Sequence, residues 1–383
     1  MDRKILAVLL AAWLGPLAGN MILALVPPLK ADFGASGPEV LLSITFFMVP
    51  FALFMLFSGT LSDVYDRKKT LMGGFAVYTV GSLLCALSPD LQSFLASRVL
   101  QGVGYAFITP ILVALLGEIT PYEERGRWMG FMASATGAGV AMGPFLGGLV
   151  AEVEWRLAFV LVAGLAVAIG LFFHLAFRRD TFESREGDLR SAMHNVAYCI
   201  RRRPIIYLVA SGFLAFLCYI SVLSFLSDHL SLPPLDLRES EIGTIIMAAG
   251  AASVFAAPVG GRLVDSLGRR NVGMAGFAIM MGAMLSFSLA STVPGYVLSL
   301  VILGSGVALV WSSTLTLTVE VAPDLKGTSS SLFNSVRFFG YAAAPVVFAP
   351  VYTGAGIGAI FIVSGALAAG AIVLVRMIGA RDE

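Results

Sequence analysis

GFMASATGAGVAMGPFLGG, residues 130–148, is the stretch on which the reading of this chain turns. Glycines stand at Gly130, Gly137, Gly139, Gly143, Gly147 and Gly148, Pro144 follows Gly143, and no residue in the stretch is charged. In water, glycine and proline inside a helix are destabilising. In lipid they are tolerated because neighbouring helices satisfy the backbone they disturb. A run of this length is most of a membrane crossing, which needs about 20 apolar residues. Its small residues let another helix approach to backbone distance.

Composition agrees with a membrane setting. Of 383 residues 58% are hydrophobic and 13% charged, and mean hydropathy is +0.88. A soluble domain carries about 25% charged residues. A net charge of +1 gives no reason to expect a nucleic-acid partner. Cys85, Cys199 and Cys218 are scattered, without metal-ligand or disulfide spacing. His174, His194 and His229 are equally dispersed, so no catalytic cluster is read and no enzyme, cofactor or metal is expected.

Working outward, apolar runs predict twelve spans: about 5–29, 40–61, 70–87, 92–116, the glycine stretch 130–148, 157–177, 205–226, 241–263, 271–290, 296–319, 328–351 and 357–378. The charged start before the first run could pass for a signal peptide, but no cleavage site follows and the run is read as retained. The one long polar segment, 178–204, divides the chain into a six-helix bundle at 1–177 and another at 205–383. Part of this linker reads as an amphipathic helix on the inner leaflet. Lys and Arg concentrate in alternate loops, which places both termini in the cytoplasm.

Two further motifs stand out. After the second span comes Gly59, Asp63, Asp66, then Arg67, Lys68 and Lys69. The basic cluster alone would serve as a positive-inside anchor, and that reading leaves Asp63 unexplained. In the fourth span Arg98 is followed by Gln101, Gly102 and Gly104. An arginine inside a span costs roughly 2.5–3.5 kcal/mol on insertion scales, so it either snorkels to the interface near Asp90 or has a role in the interior.

The chain also repeats itself. Gly261 to Arg270 matches Gly59 to Lys68 at an offset of 202, which pairs Asp265 with Asp63. Gly304 and Gly306 match Gly102 and Gly104, and Glu320 matches Glu118, at the same offset. Gly340 and Pro345 match Gly139 and Pro144 at 201. Two parallel repeats follow, related about an axis along the membrane normal. Arg98 and Arg337 break the symmetry, since Leu300 and Thr136 stand at their counterpart positions.

Gly130, Gly139, Gly143-Pro144 and Gly147-Gly148 together resemble the fifth-helix antiporter signature of drug and metabolite exporters in the major facilitator superfamily. The loop from Gly59 and the Arg98–Gly104 run resemble two other motifs of that family. Val64 and Asp66 depart from the loop motif, where a basic residue and a glycine are usual. Asp tolerates left-handed backbone, so the turn is expected to survive.

The resemblance implies an all-α membrane protein of twelve helices in two pseudo-symmetric six-helix bundles. It implies a monomer in the cell membrane that exports small amphipathic compounds by alternating access, coupled to protons. Asn20, Arg98, Gln101, Tyr219, Trp311, Asn334 and Arg337 are the implied substrate-binding or coupling residues. Gly59, Asp63, Arg67, Arg125, Gly139, Gly143, Pro144, Gly147, Gly148 and Asp265 are the implied gating positions. Asn20 is equally readable as interhelical glue. No Asp or Glu falls in the middle of a predicted span, which leaves the coupling residue unassigned. An alternative is an organic-anion carrier or exchanger that uses Arg98 and Arg337.

Overall fold

The computed structural model describes residues 2–64, 66–121, 124–178, 180, 189–323 and 325–378; the side chains of 59–64, 189–192, 194 and 326 are outside that description. Gly59 and Asp63 therefore lie outside the residues whose side chains are described.

The described chain is helical throughout. The N-terminal half contains α1 (Arg3–Met21), α2 (Val26–Phe33), α3 (Gly37–Val64), α4 (Arg67–Ala86), α5 (Leu91–Ala106), α6 (Thr109–Ile119), α7 (Arg125–Ala151) and α8 (Trp155–Ala176). The linker carries α9 (Leu189–Arg201). The C-terminal half contains α10 (Arg203–Leu230), α11 (Glu239–Leu267), α12 (Arg269–Leu289), α13 (Val293–Glu320) and α14 (Lys326–Met377).

Among the described residues 11 helical segments are long and apolar enough to cross a membrane. The last of them, α14, has 52 residues, about 78 Å of helix against a hydrocarbon core of about 30 Å. It is broken at Gly356, whose φ of 73° suits glycine alone. Split there, it supplies the eleventh and twelfth crossings, and the architecture is the expected twelve-helix one.

Two crossings are interrupted where the sequence predicts continuous helices. The first ends at Met21 and passes through a 3-10 turn, Ile22–Ala24, into α2. Pro27 and Pro28 lack the amide hydrogens needed to continue the α1 ladder back to residues 23 and 24. The fourth breaks between α5 and α6 at Phe107–Ile108, just before Pro110. In the second half the seventh and tenth crossings, α10 and α13, run 28 residues each without a break.

Pairing within each half follows the repeat. In the first half α1 packs on α7, α4 on α5 and α4 on α8. In the second half α10 packs on α14, α12 on α13 and α12 on α14. Contacts divide the chain into one unit of residues 1–189 with 238–243 and another of residues 190–237 with 244–383, so nearly all of α9 belongs with the second unit. Large apolar side chains left exposed, such as Leu171, Phe255, Leu285 and Ile362, are what a lipid-facing surface requires.

Local capping explains several helix starts. Asp90 accepts the backbone N–H of Ser93 at 2.8 Å and opens α5. That backbone hydrogen bond, aided by the Ser93 hydroxyl, holds the Asp90 carboxyl below its ordinary value. Asp66 caps α4 in the same manner, accepting from the Lys69 N–H at 2.9 Å. Its φ is −58°, so the expectation of left-handed backbone there is corrected: Asp66 works as a helix cap. Gly268, its repeat counterpart, is the one with positive φ, 81°.

Candidate functional site

The glycine stretch lies on α7 and faces α1 across a backbone-to-backbone seam. A β-carbon at Gly139 would overlap the Trp13 carbonyl oxygen, and one at Gly143 the Leu17 carbonyl oxygen. A β-carbon at Gly147 would stand 2.7 Å from the Met21 carbonyl oxygen. These three positions step one turn each, so they form one face. Asn20 is buried against this seam, and its Nδ2 donates to the Pro16 carbonyl one turn back at 2.8 Å, which fixes the side chain on its own helix. Gly148 and Pro144 are also buried, whereas Gly130 has open space beside its Cα.

The repeat extends from sequence to contacts. A β-carbon at Gly102 would overlap the Phe47 carbonyl oxygen, and one at Gly304 the Ala249 carbonyl oxygen; each partner is displaced by the same 202 residues. Gly104 presses on Gly74 and Tyr78, and Gly306 on Gly276 and Met280, again at 202. Two ion pairs obey the same rule: Arg67 with Glu118, and Arg269 with Glu320. Each ties the start of one helix (α4 or α12) to the end of the crossing that follows it (α6 or α13). The copies differ in burial. The Arg67 side chain is 9% exposed and that of Arg269 47%. Glu118→Gln is therefore expected to lower the thermal transition of the purified protein more than Glu320→Gln, by on the order of 1 kcal/mol, because water screens the second pair. Equal shifts for the two variants would refute this ranking. Arg125, on the first turn of α7, and Asp265 are exposed.

Arg98 does not snorkel. It is 1% exposed. Its Nε donates to the Ser43 carbonyl of α3 at 3.2 Å, a terminal nitrogen donates to the Gln101 side chain, and its guanidinium lies 4.4 Å from the Phe47 ring centroid. Gln101 in turn donates to the Ser82 hydroxyl of α4 at 2.8 Å. Arg98 and Gln101 thus clamp three helices through one buried network.

Arg337 is held differently. Its guanidinium carbon lies 3.7 Å from the Trp311 ring centroid, 4.3 Å from Phe338 and 4.5 Å from Phe216. The residue is 8% exposed and borders a small void with Gly212, Thr314 and Phe333. Three aromatic faces around one guanidinium stabilise the charge by cation–π attraction. The structure therefore brings Trp311 and Arg337 together, with Phe216 as a member the sequence did not single out. Tyr219 is buried near Phe216, and Asn334 turns back on its own helix, donating to the Ser330 carbonyl at 2.9 Å.

One carboxylate was missed. The seventh span was expected to stop near Leu226, but α10 continues to Leu230 and takes Asp228 into the helix. Among the described residues Asp228 is the one buried Asp or Glu, at 3% exposure. Tyr352 Oη of α14 donates to its Oδ2 at 2.9 Å. The polar run Ser227-Asp228-His229 imitates a loop, but nothing between Leu226 and Pro233 stops a helix, and that was the available signal.

The sequence pattern described as Major Facilitator Superfamily matches residues 8–345 and again 235–383. The chain is 23% identical over 399 aligned positions to the riboflavin transporter RibZ of Clostridioides difficile, covering 91% of this chain and 87% of that protein. It is 26% identical to multidrug resistance protein 2 of Bacillus subtilis, covering 70% of this chain and 68% of that one. For several other curated relatives the match spans less than a third of their length, 22% of one and 30% of another. The fold matches the crystal structure of the human organic anion transporter MFSD10 (TETRAN) with a TM-score of 0.75 at 19% identity, over 97% of this chain and 99% of that one.

Proposed function

Given that the chain belongs to the Major Facilitator Superfamily, and so is a multi-pass membrane transporter, we propose that it exports small amphipathic compounds by alternating access, driven by a proton gradient. The observation that carries this reading is the α1–α7 seam. Every fixed glycine of the exporter signature is present, and Gly139, Gly143 and Gly147 meet backbone directly. Buried aromatics around a few polar groups, as at Phe216, Trp311 and Arg337, suit an amphipathic small molecule. The protein is taken as a monomer of the cell membrane with both termini cytoplasmic, in keeping with its loop charges. Asn20, Arg98, Gln101, Tyr219 and Asn334 complete the proposed set for binding or coupling.

A second reading, an organic-anion carrier, draws support from two arginines held inside the helices, Arg98 and Arg337. Reconstitution in vesicles separates the two. Acceleration of cationic and neutral dye efflux by an imposed pH gradient supports the exporter. Exchange of anionic dyes that ignores the gradient supports the carrier and overturns the exporter.

Gating is assigned to the loop motif that contains Gly59 and Asp63, with Arg67 and Arg125 beside it. Asp63 is proposed to latch the cytoplasmic side against the positive N-terminus of α14, where unpaired N–H groups carry about half a unit charge. A latch of about 1–3 kcal/mol shifts the inward/outward ratio by roughly 5–150-fold. Asp63→Asn is expected to raise cytoplasmic accessibility of engineered cysteines and slow turnover, with little change in substrate affinity. Asp265→Asn is expected to do less. Unchanged accessibility with lost binding would place Asp63 in the transport path instead.

A further inference from the structure

Proton coupling needs a group that takes up and gives back a proton, and ionisable side chains inside a span are the usual relays. Asp228 is such a group. It sits on the last turn of α10, at the end remote from the linker, which the loop charges place on the outer side. Its carboxylate accepts the Tyr352 hydroxyl of α14 at 2.9 Å, and the Tyr352 ring is fixed against Phe225 at 4.9 Å. His229 follows on the same helix, half-buried, with Nε2 3.3 Å from the Tyr296 hydroxyl of α13. His229 on α10 and Tyr352 on α14 are titratable groups that face Asp228 among the described residues, and Tyr296 of α13 lies beyond His229.

Inward from Asp228, α10 carries buried hydroxyls in register. Ser224 is four residues back and Ser221 seven back, so all three share one helix face. The Ser224 hydroxyl has no hydrogen-bond partner among the described residues. Ser221 meets the Ser364 hydroxyl of α14 at 3.1 Å. The row covers about 10 Å of helix. Ser221 also donates to the Cys218 carbonyl at 2.9 Å, whereas the Ser224 hydroxyl continues the polar face that Asp228 begins.

We propose that Asp228 carries the coupling proton, with Tyr352 as its hydrogen-bond partner and Ser224 and Ser221 extending the path into α10. This rests on the proton-coupled reading above. In each cycle the carboxylate gains one proton from water on the outer side and later returns it, so no other reactant is needed. Protonation removes the charge from the oxygen pair that Tyr352 addresses. A charge-assisted hydrogen bond becomes a neutral one, which loosens α10 from α14 at that end.

The test uses the full-length protein in phosphatidylcholine–phosphatidylglycerol vesicles with ethidium as the probe. For the wild type a pH gradient is expected to accelerate ethidium transport. Asp228→Asn is expected to lose that acceleration while its thermal transition and ethidium binding establish that it is folded. Asp228→Glu is expected to recover part of it. Tyr352→Phe is expected to keep the acceleration at a reduced level, because the carboxylate loses its hydrogen-bond donor on α14. Acceleration that survives in Asp228→Asn overturns the assignment and leaves proton coupling standing. A wild type that exchanges ethidium without regard to the gradient overturns proton coupling, and the assignment with it. Infrared pH-difference spectra need no transported compound: on top of the signal of the exposed carboxyls, the wild type is expected to show a buried carboxylic-acid component that is missing in Asp228→Asn. A spectrum in which that component survives the Asp228→Asn substitution overturns the assignment.

Discussion

Gly143→Leu is expected to abolish transport and to lower the thermal transition of the purified protein, and Gly143→Ala to do both in part. The α7 backbone at Gly143 lies so close to α1 that even a methyl group would overlap the Leu17 carbonyl oxygen and stand 3.0 Å from Asn20 Cβ. Both obstacles are poorly able to move. One is helix backbone, and the other belongs to a side chain fixed by its bond to the Pro16 carbonyl. The helices must part, and the seam opens at Gly139 and Gly147 as well. Overpacking of this kind costs about 1–3 kcal/mol for small insertions and more for larger ones. Gly130→Ala is the control. It belongs to the same signature but has nothing within 4 Å of an added β-carbon, and it is expected to behave as wild type. Dye efflux and thermal unfolding of the three variants decide the matter. Unchanged efflux in Gly143→Leu, or an equal loss in Gly130→Ala, would show that the signature does not act through this seam.

Arg98→Ala is expected to stop transport while the protein still inserts, and Arg98→Lys to recover little of it. The guanidinium reaches the Ser43 carbonyl and the Gln101 side chain at once and lies over the Phe47 ring, 4.4 Å from its centroid. A lysine ammonium is a point charge on a flexible stem and cannot reproduce that planar arrangement. Truncation to alanine removes the donor to the buried Gln101 oxygen, costing about 1–3 kcal/mol, and leaves a cavity besides. The comparison to make is transport rate against thermal transition for both variants. Near-normal transport by Arg98→Ala would remove Arg98 and Gln101 from the working parts of the protein.

The sequence was informative where a residue type has one physical use. Glycine against backbone is such a case: Gly102, Gly104 and Gly139, their repeats Gly304, Gly306 and Gly340, and Gly143 all stand at close contacts. The duplication was equally legible, down to the two ion pairs, since their ends recur at one offset. Hydrophobicity said less about boundaries. An apolar run does not record where a helix ladder is interrupted, so the breaks after Met21 and at Phe107–Ile108 were hidden inside predicted spans. Asp228 was lost for the converse reason, because three polar residues in a row look like a helix end. Arg337 shows a further limit. Its three rings come from α10, α13 and α14, and their convergence is a property of packing that no local pattern encodes.

The interrupted crossings distribute stiffness unequally. At the two breaks the ladder is pinned by short bonds to the third residue back: Leu25 to Ile22 at 3.1 Å, Phe107 to Gly104 at 3.3 Å and Ile108 to Tyr105 at 3.0 Å. Such turns bend more readily than the α-helix around them. The matching crossings of the other half, α10 and α13, have no weak link and bend only as whole rods. Two repeats built from one plan thus differ in these crossings: the first and fourth each hold a compliant turn where the seventh and tenth run on as continuous rods.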